Sequence, residues 1–388
     1  MDWLLLLEWV IKCLVLIFAL LGGFAYLTWF ERRVLARMQV RIGPNRAGWQ
    51  GLLQPVADAI KLIFKEELIP DKAERFIFIL APILAVAPAV IITATVPWGP
   101  AIPLQGIGIP YTIKPYIADI NVGVLYITAI ASIAVYGIVL AGWSSDNKFS
   151  MLGGLRATAQ MISYELSLGL SLVAVILLTG SMNMNDVVTS QSAALLNLGF
   201  MQIPMWNAFV QPVAMGIFMI ATLAELNRAP FDMPEAEQEL TAGYMTEYSG
   251  MKFALFFMGE YTKMIAISAI AATLFFGGYL GPGVGSWPIL GPIYLFIKIV
   301  AVLFWMVWVR ATWPRIRYDR LMSFGWKVML PLSLAVVMIT AIGIVLGVSL
   351  GPGTGPLVQG IFTCVLSLLV AFLFTLAIDR ALRRKLYA

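Results

Sequence analysis

About nine stretches of this chain are long and apolar enough to cross a lipid bilayer, and that property decides most of what it can fold into. A spanning helix needs roughly 20 successive apolar residues. The stretches lie near 4–29, 76–97, 120–142, 158–180, 206–226, 253–276, 289–310, 328–350 and 358–378. Hydrocarbon offers no partner for backbone N–H and C=O groups, so each span must satisfy its own as a helix. The expected fold is therefore an all-α polytopic membrane protein, with 1–388 as a single integral membrane domain. Composition agrees: 60% of the 388 residues are hydrophobic and 12% are charged, where a soluble domain is about 25% charged. The first stretch is too long, and lacks the small-residue site, to read as a removable signal peptide. No internal repeat is visible, so an inverted-repeat transporter is not indicated.

The charges are sorted by loop. One set of loops and the tail carry Arg32, Arg33, Arg37, Arg41, Arg46, Lys61, Lys65, Lys72 and Arg75, then Lys148 and Arg156, then Arg228 and Lys252, then Arg310, Arg315, Arg317, Arg320 and Lys327, then Arg380, Arg383, Arg384 and Lys385. The alternate loops carry only Lys114. By the positive-inside rule the N-terminus is expected outside and the C-terminus in the cytoplasm, which suits an odd number of spans. The outer loops, such as 97-PWGPAIPLQGIGIP-110, are rich in Pro and Gly and read as packing turns. The net charge of +5 follows from the basic cytoplasmic loops and does not point to nucleic acid.

The chain has no histidine. That excludes His-ligated haem, a His metal site, a Ser-His-Asp triad and an imidazole proton shuttle. Cys13 and Cys364 lie far apart in apolar segments and cannot hold an iron–sulfur cluster alone. No metal site is expected, and any proton traffic must run on carboxylates, lysines, tyrosines and water.

Two cytoplasmic segments carry most of the chemistry. In 49–66, Trp49, Leu52, Leu53, Val56, Ile60, Ile63 and Phe64 fall at helical spacing, with Gln50, Gln54, Asp58, Lys61 and Lys65 on the other face. This pattern predicts one amphipathic helix lying in the membrane plane. It serves either as a surface anchor or as the cap of a cavity. The second segment is the acidic loop 227–252 with the span ends on either side, which holds Glu225, Asp232, Glu235, Glu237, Glu239, Glu247 and Glu260 among the chain's 21 acids. Crowded, partly desolvated carboxylates raise one another's pKa and exchange protons near neutral pH. The bland alternative is a solvated loop that docks a basic partner, but Phe231, Met233, Leu240, Tyr244, Met245 and Tyr248 are interleaved with the acids.

Ionisable residues within spans usually mark ion or proton pathways. Glu165 lies in span four, and Lys298 in span seven. Glu260 and Lys263 lie one turn apart in span six and are expected to be able to pair. Glu8 and Lys12 read as a local pair near the outer end of span one. Tyr126, Tyr136 and Tyr164 either extend a proton wire or simply pack.

The runs 31-ERRVLARMQVRIGPNRAG-48, 51-GLLQPVADAIKLIFKEELIP-70, 141-AGWSSDNKFSMLGGLRATAQMISYE-165 and 224-AELNRAPFDMPEAEQELTAGYMTEYSGMKF-253 resemble the H subunit of bacterial proton-pumping NADH:quinone oxidoreductase, the subunit 1 family of respiratory complex I. The resemblance runs from about residue 20 to the end of span eight. It implies a multi-pass protein of the bacterial inner membrane that forms the membrane part of the quinone chamber and has no catalytic activity of its own. Quinone is then a substrate that arrives from the bilayer beside span one, the amphipathic helix and span six. FMN and iron–sulfur clusters belong to partner subunits of the hydrophilic arm. Small membrane subunits and antiporter-like subunits are the other implied partners.

By the same resemblance Glu31, Arg32, Arg41, Asp58, Glu66 and Phe231 fall near the chamber or the arm interface. Asp232, Glu235, Glu237, Glu239 and Glu247 match the acidic loop below the quinone site. Glu165 matches the carboxylate that begins the family's lateral acidic path; as ionisable groups at depth, Glu225, Glu260 and Lys263 are expected to share in the proton coupling. Some family members carry a second glutamate on span three, and Ile133 is expected to occupy its place here. Two alternatives stay open: the anchor subunit of a related membrane-bound hydrogenase-type complex, and a stand-alone ion transporter.

Overall fold

The computed structural model describes residues 3–103, 112–192, 194–197, 202–232, 242–285 and 287–386. Eight helices among them have the length and apolar composition to cross a membrane. The first, α1, runs from Trp3 to Met38. After a surface helix, α2 (Gln54–Ile63), come α3 (Arg75–Thr93), α4 (Gly123–Ser144) and α5 (Lys148–Thr179). A short helix, α6 (Met184–Ser190), leads through a hairpin to α7 (Asn207–Val210) and α8 (Pro212–Glu225). The rest is α9 (Gly250–Phe275), α10 (Leu290–Thr312), α11 (Tyr318–Phe324), α12 (Leu330–Ser349) and α13 (Gly351–Leu386). The described strands form two short antiparallel hairpins, Ile102–Pro103 with Thr112–Ile113 and Ala194–Asn197 with Gln202–Pro204. Both lie at the end of the bundle opposite the basic clusters.

The expected fifth span differs from its neighbours. In place of one helix over 206–226 the chain folds α7, a break at Gln211 with φ −131° and ψ 60°, and then the 14 residues of α8. Pro212 drives the break, because its ring disfavours helical geometry in the residue before it. The Gln211 side chain then donates to Ala174 O and Thr340 Oγ1, both at 3.1 Å, inside the bundle. At about 21 Å, α8 is too short to cross the hydrocarbon alone.

The segment 49–66 also differs from the single helix expected. Gly48 at φ 74°, Gln50 at φ 53° and Gly51 at φ 77° make a tight turn, and α2 starts only at Gln54. Gly51 has no freedom to be anything larger, since a Cβ there would lie 2.3 Å from Pro44 O. The amphipathic face survives: Val56, Ile60, Ile63 and Phe64 all stand exposed along α2.

Helices in lipid gain little from burying apolar surface against one another, so close packing has to hold the bundle. Small residues permit it here. A Cβ on Gly137 of α4 would meet Ala85 N of α3 at 2.8 Å, and one on Gly259 of α9 would meet Ala85 O at 3.2 Å. The central helix is α9, whose stretch from Met264 to Phe275 is almost wholly buried. Its neighbours α3, α8 and α10 bring their charged ends to the basic side, where the polar side chains gather.

Candidate functional site

Glu31 lies on α1 just beyond the apolar run and is only 2% exposed. Burying a carboxylate costs several kcal/mol unless cations and hydrogen bonds replace its water. Two arginines do so. Arg228, just after α8, donates through Nη1 to Glu31 Oε1 at 3.3 Å and Oε2 at 3.4 Å. Arg310, in the last turn of α10, pairs with the same carboxylate. Arg228 also stands 3.8 Å from Glu260 Oε2 on α9, and its guanidinium lies 4.4 Å from the ring centroid of Tyr261. The Tyr244 hydroxyl donates to Glu260 Oε1 at 3.2 Å. Arg228 thus ties α1 to α9, with Arg310 and Tyr244 holding the same two carboxylates from other sides.

Lys263 does not pair with Glu260, as its spacing on the helix allows. It crosses to α8 and meets Glu225 at 2.8 Å, both side chains buried. Arg228 and Tyr244 already hold Glu260, and Glu225 ends α8 facing Lys263. A cavity of about 30 Å³ lies between, lined in part by Glu225, Asn227, Tyr244, Glu260 and Lys263. That is room for about two waters among polar partners. Beyond Glu225, the charges of Glu225 and Lys263 act on Glu165 of α5, which accepts a hydrogen bond from Ser132 of α4. The result is a chain of groups: Glu31, Arg228, Glu260, the small cavity, Lys263, Glu225, Glu165.

In its described part the acidic loop is therefore not a crowd of carboxylates. Asp232 faces Arg315, which donates to Oδ2 at 2.9 Å. Burial holds the Asp232 carboxyl above its ordinary range, against the opposing pull of Arg315. Asn147 donates to Glu247 Oε1 at 2.6 Å and ties the loop to the start of α5. Glu235, Glu237 and Glu239 lie outside the described residues.

The other expected residues divide. Arg32 of α1 pairs with Asp58 of α2 at 2.8 Å, fastening the surface helix to span one. Arg41 and Glu66 are exposed at the same end. Phe231 is a core residue: it packs on Tyr164 with centroids 5.8 Å apart, and its carbonyl accepts from Gln160 at 2.8 Å. Tyr164 donates to Leu321 O at 2.9 Å and Tyr136 faces outward, so neither contacts a carboxylate through the bonds described. Glu8 and Lys12 pair, and Lys12 also donates to Lys114 O and Tyr116 O. Lys298 caps carbonyls of Gly278 and Leu280 at 2.7 Å. Ile133 points away from the bundle, and the α4 side chain that meets Glu165 is Ser132.

A larger cavity of about 730 Å³ runs beside the charged group. Its walls come from Val15 to Phe30 of α1, from Ile265 and Ala269 of α9, from Pro292 to Leu303 of α10, and from Thr93, Val96 and Trp98. They are almost entirely apolar. The cavity follows span one toward the basic end and stops at Trp29 and Phe30, next to Glu31. Spans one and six line it together with α10, and the amphipathic helix does not.

Sequence reasoning missed the roles of Arg228, Arg310 and Arg315. All three are visible in the sequence as loop cations, but there they serve only to set topology. Their number cannot reveal which carboxylate each one faces across the fold. Among the described residues no group of three or more His, Cys, Asp or Glu side chains is placed to hold a metal.

Residues 11–341 match the family model for NADH dehydrogenase. The NADH-quinone oxidoreductase H subunit of Thermomicrobium roseum is 51% identical over 343 residues, covering 88% of this chain and 97% of that protein. An H subunit of the same enzyme from Geobacter metallireducens is 48% identical over 340 residues, covering 86% and 94%. The corresponding H subunit of Rhodospirillum rubrum is 49% identical over 335 residues, covering 86% and 92%.

Proposed function

The chain belongs to the NADH dehydrogenase family of NADH-quinone oxidoreductase H subunits, and from that premise we propose that it forms the membrane part of a quinone chamber and turns charge arriving at the quinone into carboxylate protonation. It is a multi-pass protein of the bacterial plasma membrane and one subunit of an enzyme complex. The sorted loop cations support a cytoplasmic basic end and an outer N-terminus. Hydrophilic-arm subunits with flavin and iron–sulfur clusters then dock at that end and deliver electrons. Small and antiporter-like membrane subunits flank the bundle.

One observation carries the reading. An apolar cavity suited to an isoprenoid chain ends beside Glu31, where the line of charged groups toward Glu165 begins. Reduction of a quinone to a quinol takes two electrons and two protons, and this chain supplies only the response to them. Negative charge above the acidic loop raises the proton affinity of carboxylates below it. At an effective ε of ~20, two unit charges ~8 Å apart interact by about 2 kcal/mol, more than one pKa unit. Glu31 is clamped by Arg228 and Arg310, so a charge there pulls on Arg228 and loosens its hold on Glu260. Glu260 then takes up a proton, and water in the small cavity carries the change to the Lys263–Glu225 pair and to Glu165.

Gly22 offers the test. It lines the larger cavity, and a Cβ built on it meets no atom within 4 Å. Gly22→Leu fills the cavity and favours the helix. In the assembled complex its KM for a long-chain quinone is expected to rise about tenfold, the scale of a few displaced methylenes, with a short-chain quinone little affected. Equal effects on both quinones, or none on either, overturn the cavity assignment.

A further inference from the structure

Glu165 differs from the other carboxylates of the line. Glu31, Glu225 and Glu260 each face a cation. Glu165 is held by an alcohol, Ser132 of α4, through a hydrogen bond to Oε1. The Ser132 hydroxyl also lies 3.0 Å from Thr128 O, one turn earlier on its own helix. A serine hydroxyl has one proton to give and two lone pairs to receive with. It cannot donate to Glu165 and to Thr128 at once.

The two acceptors therefore correspond to two protonation states. With Glu165 ionised, Ser132 gives its proton to the carboxylate. With Glu165 protonated, the carboxyl O–H donates to Ser132 Oγ, and the serine proton turns to Thr128 O. Each state keeps the Ser132–Glu165 hydrogen bond with its direction reversed, and no heavy atom has to move. We propose that Ser132 is a positioning residue for Glu165, a hydroxyl that reverses its hydrogen bond as Glu165 gains and loses a proton. This rests on the proton-coupling reading above and adds to it a residue of α4. Ile133, the neighbouring position, cannot serve, because it is apolar and faces out.

The proton count is simple. The serine proton stays on serine throughout and only rotates. The proton that changes places is the one on Glu165, exchanged toward Glu225 on α8. Around α5, α4 carries Tyr126 and Tyr136, the turn Gly243–Met245 carries Tyr244, α8 carries Glu225, and the segment Gly325–Met329 carries Lys327. α12 has no ionisable side chain. The charges that act on Glu165 are those of Glu225 and Lys263.

The test uses the whole complex in proteoliposomes, with quinone reduction and proton translocation followed against pH. Removing the hydroxyl costs the ionised state more, because a hydrogen bond to a charged acceptor is about twice as strong as a neutral one. Ser132→Ala is thus expected to move the acid limb of the pH profile upward. It should also lower coupled turnover about tenfold, the scale of one hydrogen bond to a charged group. Ser132→Thr restores the hydroxyl and is expected to restore both. Glu165→Gln is the control. If Glu165→Gln is impaired while Ser132→Ala keeps the wild-type rate and profile, the role of Ser132 is refuted and the relay stands. If Ser132→Ala loses rate with an unmoved profile and Ser132→Thr does not rescue it, the residue only packs and the proposal fails. If Glu165→Gln itself runs at wild-type rate, the relay reading fails and takes this proposal with it.

Discussion

Replacing Glu225 by Gln leaves Lys263 charged, buried and without its carboxylate. The two groups are 2.8 Å apart with side chains 7% and 9% exposed. At an effective ε of ~20 the lost attraction is about 6 kcal/mol, part of which only offsets the cost of desolvating both ions. The net penalty for breaking a buried pair from one side is roughly 3–5 kcal/mol. Glu225→Gln is therefore expected to lower the Tm of the purified complex and to abolish pumping. Glu225→Gln with Lys263→Met removes both charges, and Met fills the space of the lysine stem. That double variant is expected to regain stability to within about 1 kcal/mol of wild type, because no uncompensated ion remains. Its quinone reduction and proton uptake, measured together in proteoliposomes, are expected to stay more than tenfold down, since the relay has lost two members. A double variant that recovers both stability and pumping would refute the reasoning, for the pair would then be only a structural clasp.

Two more outcomes follow from the geometry. Burial raises the Asp232 carboxyl above its ordinary value of 3.8 despite Arg315. The folded protein thus holds that proton more tightly than the unfolded chain, so this contribution is complete below the ordinary value and is lost as pH rises through the raised one. Asp232→Asn should flatten that part of a plot of Tm against pH, and an unchanged slope would contradict the assignment. Gly51→Ala forces a Cβ against Pro44 O and strains a φ of 77°, so it should lower Tm by the equivalent of at least ~1–2 kcal/mol and expose the 39–53 turn to protease. Proteolysis at the wild-type rate would count against that turn.

The spans were legible because a bilayer demands long apolar runs and because lysine and arginine favour one side of it. Glu165, Glu225, Glu260 and Lys263 stood out for the same reason, as charges where lipid or core should be, while Glu31 was reached only through the family resemblance. What could not be read was pairing. Lys263 has Glu260 one turn away on its own helix, yet it binds Glu225 on another. Helical spacing limits which neighbours a residue can reach locally, and says nothing about which helix packs opposite. The same blindness missed Arg228 and Arg310 at Glu31. Nor did helical spacing single out Ser132, the α4 side chain that meets Glu165, one residue and about 100° around the helix from Ile133. The break before α8 had a visible cause in Pro212. The break at 49–53 had one in Gly48 and Gly51, which the apolar periodicity of the stretch outweighed.

Arg228 is the group through which the account stands or falls, since it joins Glu31, Glu260 and Tyr261. The direct measurement is simultaneous NADH oxidation and proton translocation by an Arg228→Gln complex of unchanged subunit composition in proteoliposomes. The account predicts that both rates fall together by about tenfold or more, the scale of one buried charge-assisted contact. Both rates at wild-type level in the assembled complex would contradict it.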